Sequence, residues 1–255
     1  MTELTLALWQ DRSPAGQVED AFATMAQATR AAAGLGADAI VFPELFVTGY
    51  DRDDLSALAL TRDEMLERLA PLTRETRCAV CVGYPEPTEH GLANAAICVS
   101  ASGALLANHR KLQLFGATEA QRFVAGDTYT VFELAGRRAA LLICYDVEFS
   151  HHVGVLKAQG VEVILVPTAA MHPFIHIGDH VVPAMAVNHA LAIVYANYCG
   201  QEANTHYFGR SSIVAADGQT LARAGEAPCL LLARVPIRHD PAVLSTQDRD
   251  FRMIS

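Results

Sequence analysis

A chain of 255 residues can bury one large core, and nothing in its length requires a second domain, so it reads as a single domain over 1–255. Hydrophobic residues make up 51% and charged residues 18%, a globular composition rich in buried sheet with no room for a disordered tail. The formal charge of −9, with no cluster of Lys or Arg, argues against nucleic acid and favours a small neutral or cationic ligand.

No apolar run reaches the length of a membrane span, and Met1-Thr2-Glu3 leads straight into a strand without a basic segment, which predicts a cytoplasmic protein with no membrane partner. Six cysteines, at 78, 81, 98, 144, 199 and 229, show no framework spacing, so reduced thiols are expected. Cys78 and Cys81 form a C-x-x-C, but three positions apart on a strand they face opposite ways, and neither a second pair nor a nearby His completes a zinc set.

In chain order, Leu4 to Trp9 predicts a strand, and Asp11-Arg12-Ser13-Pro14 a turn. A helix from about Val18 to Ala33 stops near Gly34-Leu35-Gly36. Ala37 to Phe42 is a buried strand closed by Pro43, and Glu44 follows among apolar and aromatic residues. Burial there makes Glu44 either a proton acceptor with a raised pKa or a structural carboxylate satisfied by backbone donors.

Thr61 to Thr76 has helical spacing, with a kink expected at Pro71. Strands follow at Ala79–Tyr84, Leu92–Ser100 and Ala104–Asn108, with a turn at Ser102-Gly103. His109 to Gly116 leaves the last of these for a Gly-punctuated loop carrying Glu119 and Arg122, where Arg110 and Lys111 are either functional cations or a solvated face. Tyr129–Leu134 and Arg137–Ile143 form a hairpin that delivers Cys144. A thiol where a core strand turns toward a helix resembles a nucleophile elbow, and a helix start would lower its pKa. The alternative is a small buried hydrophobe. Beyond it come a helix at Ser150–Gln159, a strand at Val161–Val166 closed by Pro167, a loop from Thr168 to Phe174, a helix at Asp179–His189 and a strand at Leu191–Asn197. Ser211–Ala215, Gln219–Arg223 and Cys229–Val235 predict an antiparallel ribbon, and the tail after Asp240 has no strong pattern.

Three segments, Phe42-Pro43-Glu44 with Gly49-Tyr50, Arg110-Lys111-Leu112, and Cys144-Tyr145-Asp146-Val147-Glu148-Phe149, resemble in order and approximate spacing the signature of the nitrilase superfamily of carbon–nitrogen hydrolases. Val166-Pro167-Thr168-Ala169 and Ala196-Asn197-Tyr198-Cys199-Gly200 extend the resemblance over nearly the whole chain. It implies an α/β fold, a four-layer α-β-β-α sandwich, in which Glu44, Lys111 and Cys144 match the family's triad and Glu119 its second glutamate. It further implies thioester chemistry on an amide, with Cys144 as nucleophile, Glu44 as base and acid, and Lys111 with the Tyr145 N–H on the oxyanion. No metal or cofactor is implied, since cysteine and lysine supply nucleophile and electrophile. A homodimer or higher homo-oligomer is.

Cys-Tyr-Asp is similar to the amidase branches, whereas nitrile-cleaving members more often carry Cys-Trp-Glu. The favoured substrate is therefore a small non-peptide amide, with a nitrile or an N-carbamoyl amine or amino acid as the near alternative, and a catalytically silent binding or scaffold protein as the distant one. Tyr50, Phe115, Tyr145, Thr168 and His172 are candidate substrate contacts, with Phe123 and Phe174 as further aromatic candidates. Three positions depart from the pattern: Phe149-Ser150-His151 replaces Phe-Pro-Glu, Gly154 replaces an arginine, and Gln113 stands where a histidine is frequent.

Overall fold

Leu4, Leu6 and Leu8 point to one side of the first strand and Ala7 to the other, and all four are buried, so the strand has a core on both faces. The computed structural model describes residues 3–236 and 239–252. Met1 and Thr2, read above as leading into this strand, and the end of the patternless tail lie outside the described residues.

The strands are β1 (Glu3–Gln10), β2 (Ala39–Val41), β3 (Ala79–Thr88), β4 (Gly91–Val99), β5 (Leu105–Arg110), β6 (Thr130–Leu134), β7 (Arg137–Leu141), β8 (Val163–Pro167), β9 (Ala192–Ala196), β10 (Cys199–Glu202), β11 (Thr205–Phe208), β12 (Ser212–Val214), β13 (Thr220–Arg223) and β14 (Cys229–Pro236). One sheet has the order β14-β1-β2-β3-β4-β5, a second β13-β12-β9-β8-β7-β6, and β10 and β11 form a separate hairpin. At the centre of each, three strands run parallel: β1, β2 and β3 in the first, β7, β8 and β9 in the second.

The helices are α1 (Val18–Gly34), α2 (Leu55–Leu58), α3 (Arg62–Thr76), α4 (Gly116–Arg122), α5 (Ser150–Ala158), α6 (Val182–Asn188) and α7 (Gln247–Asp250). Met25, Ala28 and Ala32 of α1 and Met65 and Leu69 of α3 pack on the outer face of the first sheet. Val153 and Leu156 of α5 and Val182 and Ala186 of α6 cover the second. Between the sheets, Leu4, Leu6, Leu8 and Val41 meet Leu141, Ile143, Leu165 and Val194. The result is the four-layer α-β-β-α sandwich. Cys78 joins the helix-side core and Cys81 the inter-sheet core, so the C-x-x-C does face two ways. Among the described residues no helix is long and apolar enough to cross a membrane.

Two elements differ from the sequence reading. The loop around Glu119 is the short helix α4, because Glu119 on its first turn accepts the Phe115 N–H and ties the helix start to the chain before it. The helix expected at Asp179–His189 opens as a π-turn, Ile177–Val181, before α6. The Val182 N–H returns five residues to the Ile177 carbonyl, and Pro183, which has no N–H to donate, sits in the first turn of α6, where none is needed. By contrast, α3 runs on through Pro71 and begins with a capping box in which Thr61 and Glu64 satisfy each other's backbone N–H groups.

Candidate active site

Both parallel trios end at the same edge of the sandwich, where the Glu44 N–H reaches across the sheets to the Thr168 carbonyl at 3.3 Å. Just past β2, Leu45 takes a left-handed φ of +50°, turning the chain sharply so that the Glu44 side chain enters the interior with no solvent exposure. Gly83 of β3 permits this. A Cβ there would lie 2.7 Å from Glu44 Cα, so only glycine lets the strand carry the turn so closely, through Gly83 N–H to Pro43 O at 3.2 Å.

Lys111 leaves the end of β5, its N–H bound to Asn94 O at 2.8 Å. Its Nζ donates to Glu44 Oε1 and to Glu119 Oε1, each at 2.7 Å. Glu44 Oε1 also accepts Asn94 Nδ2 at 2.6 Å, while Glu44 Oε2 is buried with no partner among the described residues. Glu119 accepts the Tyr50 hydroxyl at 2.7 Å and, through its other oxygen, the Phe115 N–H at 2.7 Å.

Cys144 follows β7 after Leu142 and Ile143, with a φ of +46° and the start of a 3₁₀ turn, Cys144–Glu148. A left-handed conformation at a β-carbon-bearing residue is costly, and here Asp146 holds it. Asp146 is fully buried: one carboxylate oxygen accepts the Ile143 N–H at 3.0 Å, and the other accepts Leu112 N–H at 3.0 Å and Gln113 N–H at 2.7 Å. One side chain thus locks the elbow and pins the loop beyond Lys111 to it.

Burial raises the pKa of Glu44, against the pull of the Lys111 ammonium. Burial also works against the Lys111 charge, but Glu44, Cys144 and Glu119 outweigh it and hold the ammonium above the ordinary lysine value. The Cys144 thiol is pushed well up, first by burial and then by the Glu44 carboxylate, while Lys111, the Thr168 hydroxyl and the Ala169 N–H oppose this. The expectation of a thiol lowered by a helix start is therefore corrected. Desolvation and a neighbouring anion exceed the field of one short turn, so the sulfur is held protonated within the influence of the Glu44 carboxylate.

A cavity of about 300 Å³ opens over Cys144, walled by Tyr50, Phe115, Tyr145, Met171, Phe174 and Ile177, with Glu148 and His176 as further ionisable groups. Phe115 meets Tyr145 and Phe174 edge-on, with ring centroids at 5.3 and 5.7 Å. The structure brings Tyr50, Phe115 and Tyr145 to this wall, and Thr168 to the sulfur beneath it. It does not bring His172. Met171 bridges to Tyr207 of β11, so the next side chain turns the other way, and His172 lies over His206 with ring centroids 4.5 Å apart. Phe123 packs instead with Leu45 and Leu55.

Asn94, Asp146 and Glu148 were not singled out in the sequence. The first two carried a signal, an amide and a carboxylate inside apolar runs; Glu148 carried only its place four residues past the cysteine. The departing residues leave the cluster intact. α5 still starts at Ser150, whose hydroxyl lies 2.9 Å from His189 Nε2, and Gln113 pairs with His152 at 3.1 Å rather than with Glu119. Among the described residues no group of His, Cys, Asp and Glu stands arranged to hold a metal ion.

The family model for carbon-nitrogen hydrolases matches residues 5–238. The protein named "Hydrolase in pqqF 5'region" of Pseudomonas protegens is 39% identical over 201 residues, 77% of this chain and 70% of that one. An (R)-stereoselective amidase of Pseudomonas sp. is 30% identical over 193 residues, 74% of this chain and 69% of its own. Among solved structures, an amidase from Nesterenkonia sp. superimposes with a TM-score of 0.88 at 29% identity, covering 98% of this chain and 94% of that one. A mutant of a Nesterenkonia amidase in complex with butyramide gives 0.86 at 30% identity over 92% of both chains. The chain belongs to the carbon-nitrogen hydrolase family, in the amidase-like branch of the nitrilase superfamily.

Proposed function

We propose that the protein is a cysteine-dependent amidase that hydrolyses a small non-peptide amide to a carboxylic acid and ammonia through a thioester. The observation that carries this reading is the buried Glu44–Lys111–Glu119 cluster beside Cys144, at the floor of a cavity that accommodates a small acyl group.

Cys144 Sγ attacks the amide carbon, the carbonyl π electrons move to oxygen, and Glu44 takes the thiol proton. Because the thiol is held protonated, attack and proton transfer to Glu44 proceed together. Lys111 Nζ and the Tyr145 N–H, on the first turn after the sulfur, face the developing oxyanion, and each donor contributes about 3 kcal/mol. The intermediate collapses as the C–N bond breaks, Glu44 returns its proton to nitrogen, and ammonia leaves a thioester on Cys144. Water then attacks the thioester carbon and gives a proton to Glu44. The C–S bond breaks, the acid departs, and the proton returns to sulfur. Glu119 orients Lys111 and, through the Tyr50 hydroxyl, one wall of the pocket.

The test is ammonia release from a panel of small amides and nitriles by the wild type and by Cys144→Ala. Wild-type release from amides that is lost in the variant supports the reading; equal rates in the two proteins overturn it. Intact-protein mass spectrometry during turnover should show an acyl adduct on Cys144.

A further inference from the structure

The cluster used in the reaction leaves two ionisable groups of the cavity, Glu148 and His176, without a role. Glu148 closes the turn that Cys144 opens and lines the same cavity. Its carboxylate has no hydrogen bond or ion pair with any described residue, unlike Glu44 and Glu119, which share the Lys111 ammonium. Around the reacting position there are three carboxylates, Glu44, Glu119 and Glu148, and one ammonium, Lys111, already engaged by two of them. The surplus is negative. The same cavity is lined by the rings of Phe115, Tyr145 and Phe174, whose π faces can receive a cation. Burial has already pushed the Glu148 pKa up to about 7, with Lys111 opposing, so the ionised side chain is held in a site that a ligand's positive charge would relieve.

We propose that Glu148 is a specificity-determining residue that receives the ammonium group of a small amino amide while the amide carbonyl of the same molecule lies over Cys144. This rests on the amidase reading above and narrows it from small amides in general to cationic ones. The apolar part of the chain between ammonium and amide lies along the aromatic wall, and an anionic substrate is rejected by the uncompensated carboxylate.

The experiment compares kcat/KM for isosteric pairs, β-alaninamide against butyramide and γ-aminobutyramide against pentanamide, in the wild type and in Glu148→Gln. A charge-assisted contact predicts that the wild type prefers at least one amino amide about ten-fold or more over its neutral partner, and that Glu148→Gln loses about that factor from the ratio. In the wild type the ratio should fall as the pH is lowered from about 8 to about 6, since the carboxylate is neutralised while the substrate amine stays charged. The other titratable groups that interact with Glu148 or line the cavity with it are Lys111, Cys144, Tyr50, Tyr145, Tyr195 and His176. A pH effect from any other group would persist in Glu148→Gln, whose ratio should instead be flat.

A wild-type ratio of one or less for both pairs, an unchanged ratio in Glu148→Gln, or the same pH dependence in that variant overturns the proposal. If Glu148→Gln does not fold, a pH-independent wild-type ratio overturns it alone. Loss of butyramide turnover in Cys144→Ala reports on the amidase reading separately. Calorimetric titration of Cys144→Ala with β-alaninamide and butyramide reads the ammonium site without turnover: tighter binding of β-alaninamide supports the site, and equal binding overturns it.

Discussion

Lys111 Nζ lies 2.7 Å from Glu44 Oε1, and neither side chain is exposed to solvent. A buried pair of this kind adds little net stability, but breaking it is expensive. Replacing Lys111 by Met leaves Glu44 and Glu119 buried without their cation, which predicts a loss of about 3–5 kcal/mol in chemical denaturation together with loss of amide turnover. The double variant Lys111→Met with Glu119→Gln should recover part of that stability and none of the activity. Denaturation midpoints for the three proteins check this.

Glu44 raises the Cys144 thiol pKa while Lys111 lowers it. Glu44→Gln removes the first influence and leaves the second. Iodoacetamide should therefore alkylate Cys144 faster at pH 7 in the variant than in the wild type, even as amide turnover falls by about 100-fold or more for want of a proton acceptor and donor. Slower alkylation in Glu44→Gln would show that the carboxylate helps to ionise the sulfur at rest, contrary to the geometry.

Asp146 joins the elbow to the loop that follows Lys111. In Asp146→Asn, an amide NH₂ replaces an oxygen that accepts backbone N–H groups, so at least one buried donor loses its partner at a cost of about 1–3 kcal/mol. Because the elbow and the Lys111 loop move apart, kcat should drop by about ten-fold or more with a smaller change in KM. Steady-state kinetics on one amide separates the two.

Gly83 faces the Glu44 backbone with no room for a methyl group. Gly83→Ala must displace the turn that carries Glu44, which predicts about 1–3 kcal/mol of destabilisation and an activity loss larger than that of a neutral surface change. Thermal unfolding and turnover of the variant, side by side, test the coupling of strand packing to the site.

Glu148 titrates near 7 in the folded protein and near 4.3 when unfolded. Between these values the native state binds the extra proton, so this residue's contribution to stability falls as pH rises through the window and is lowest above about 7. Glu148→Gln should accordingly raise Tm more at pH 8 than at pH 5. A Tm difference that is equal at both values would mean the carboxylate is fully solvated.

Much of this was legible in one dimension because the chemistry is carried by short local patterns. Apolar runs that end abruptly in Glu44 or Cys144 mark the carboxyl ends of buried strands, and a strand's two faces follow from alternation alone, which is why the opposed placement of Cys78 and Cys81 was readable. The motif order around Glu44, Lys111 and Cys144 was enough to name the family and the layers. The direction in which His172 points was not readable, because it depends on a bridge between Met171 and Tyr207, 36 positions away. The charge state of Cys144 was not readable either, because a pKa answers to burial and to the side chains that surround it, and Glu44 lies 100 positions before it. Sequence by itself determined which residue types end which strands. Only the packing of the two sheets decided that Asn94, Asp146 and Glu148 join them, since a hydrogen bond or an unpaired carboxylate exists only once distant strands have met.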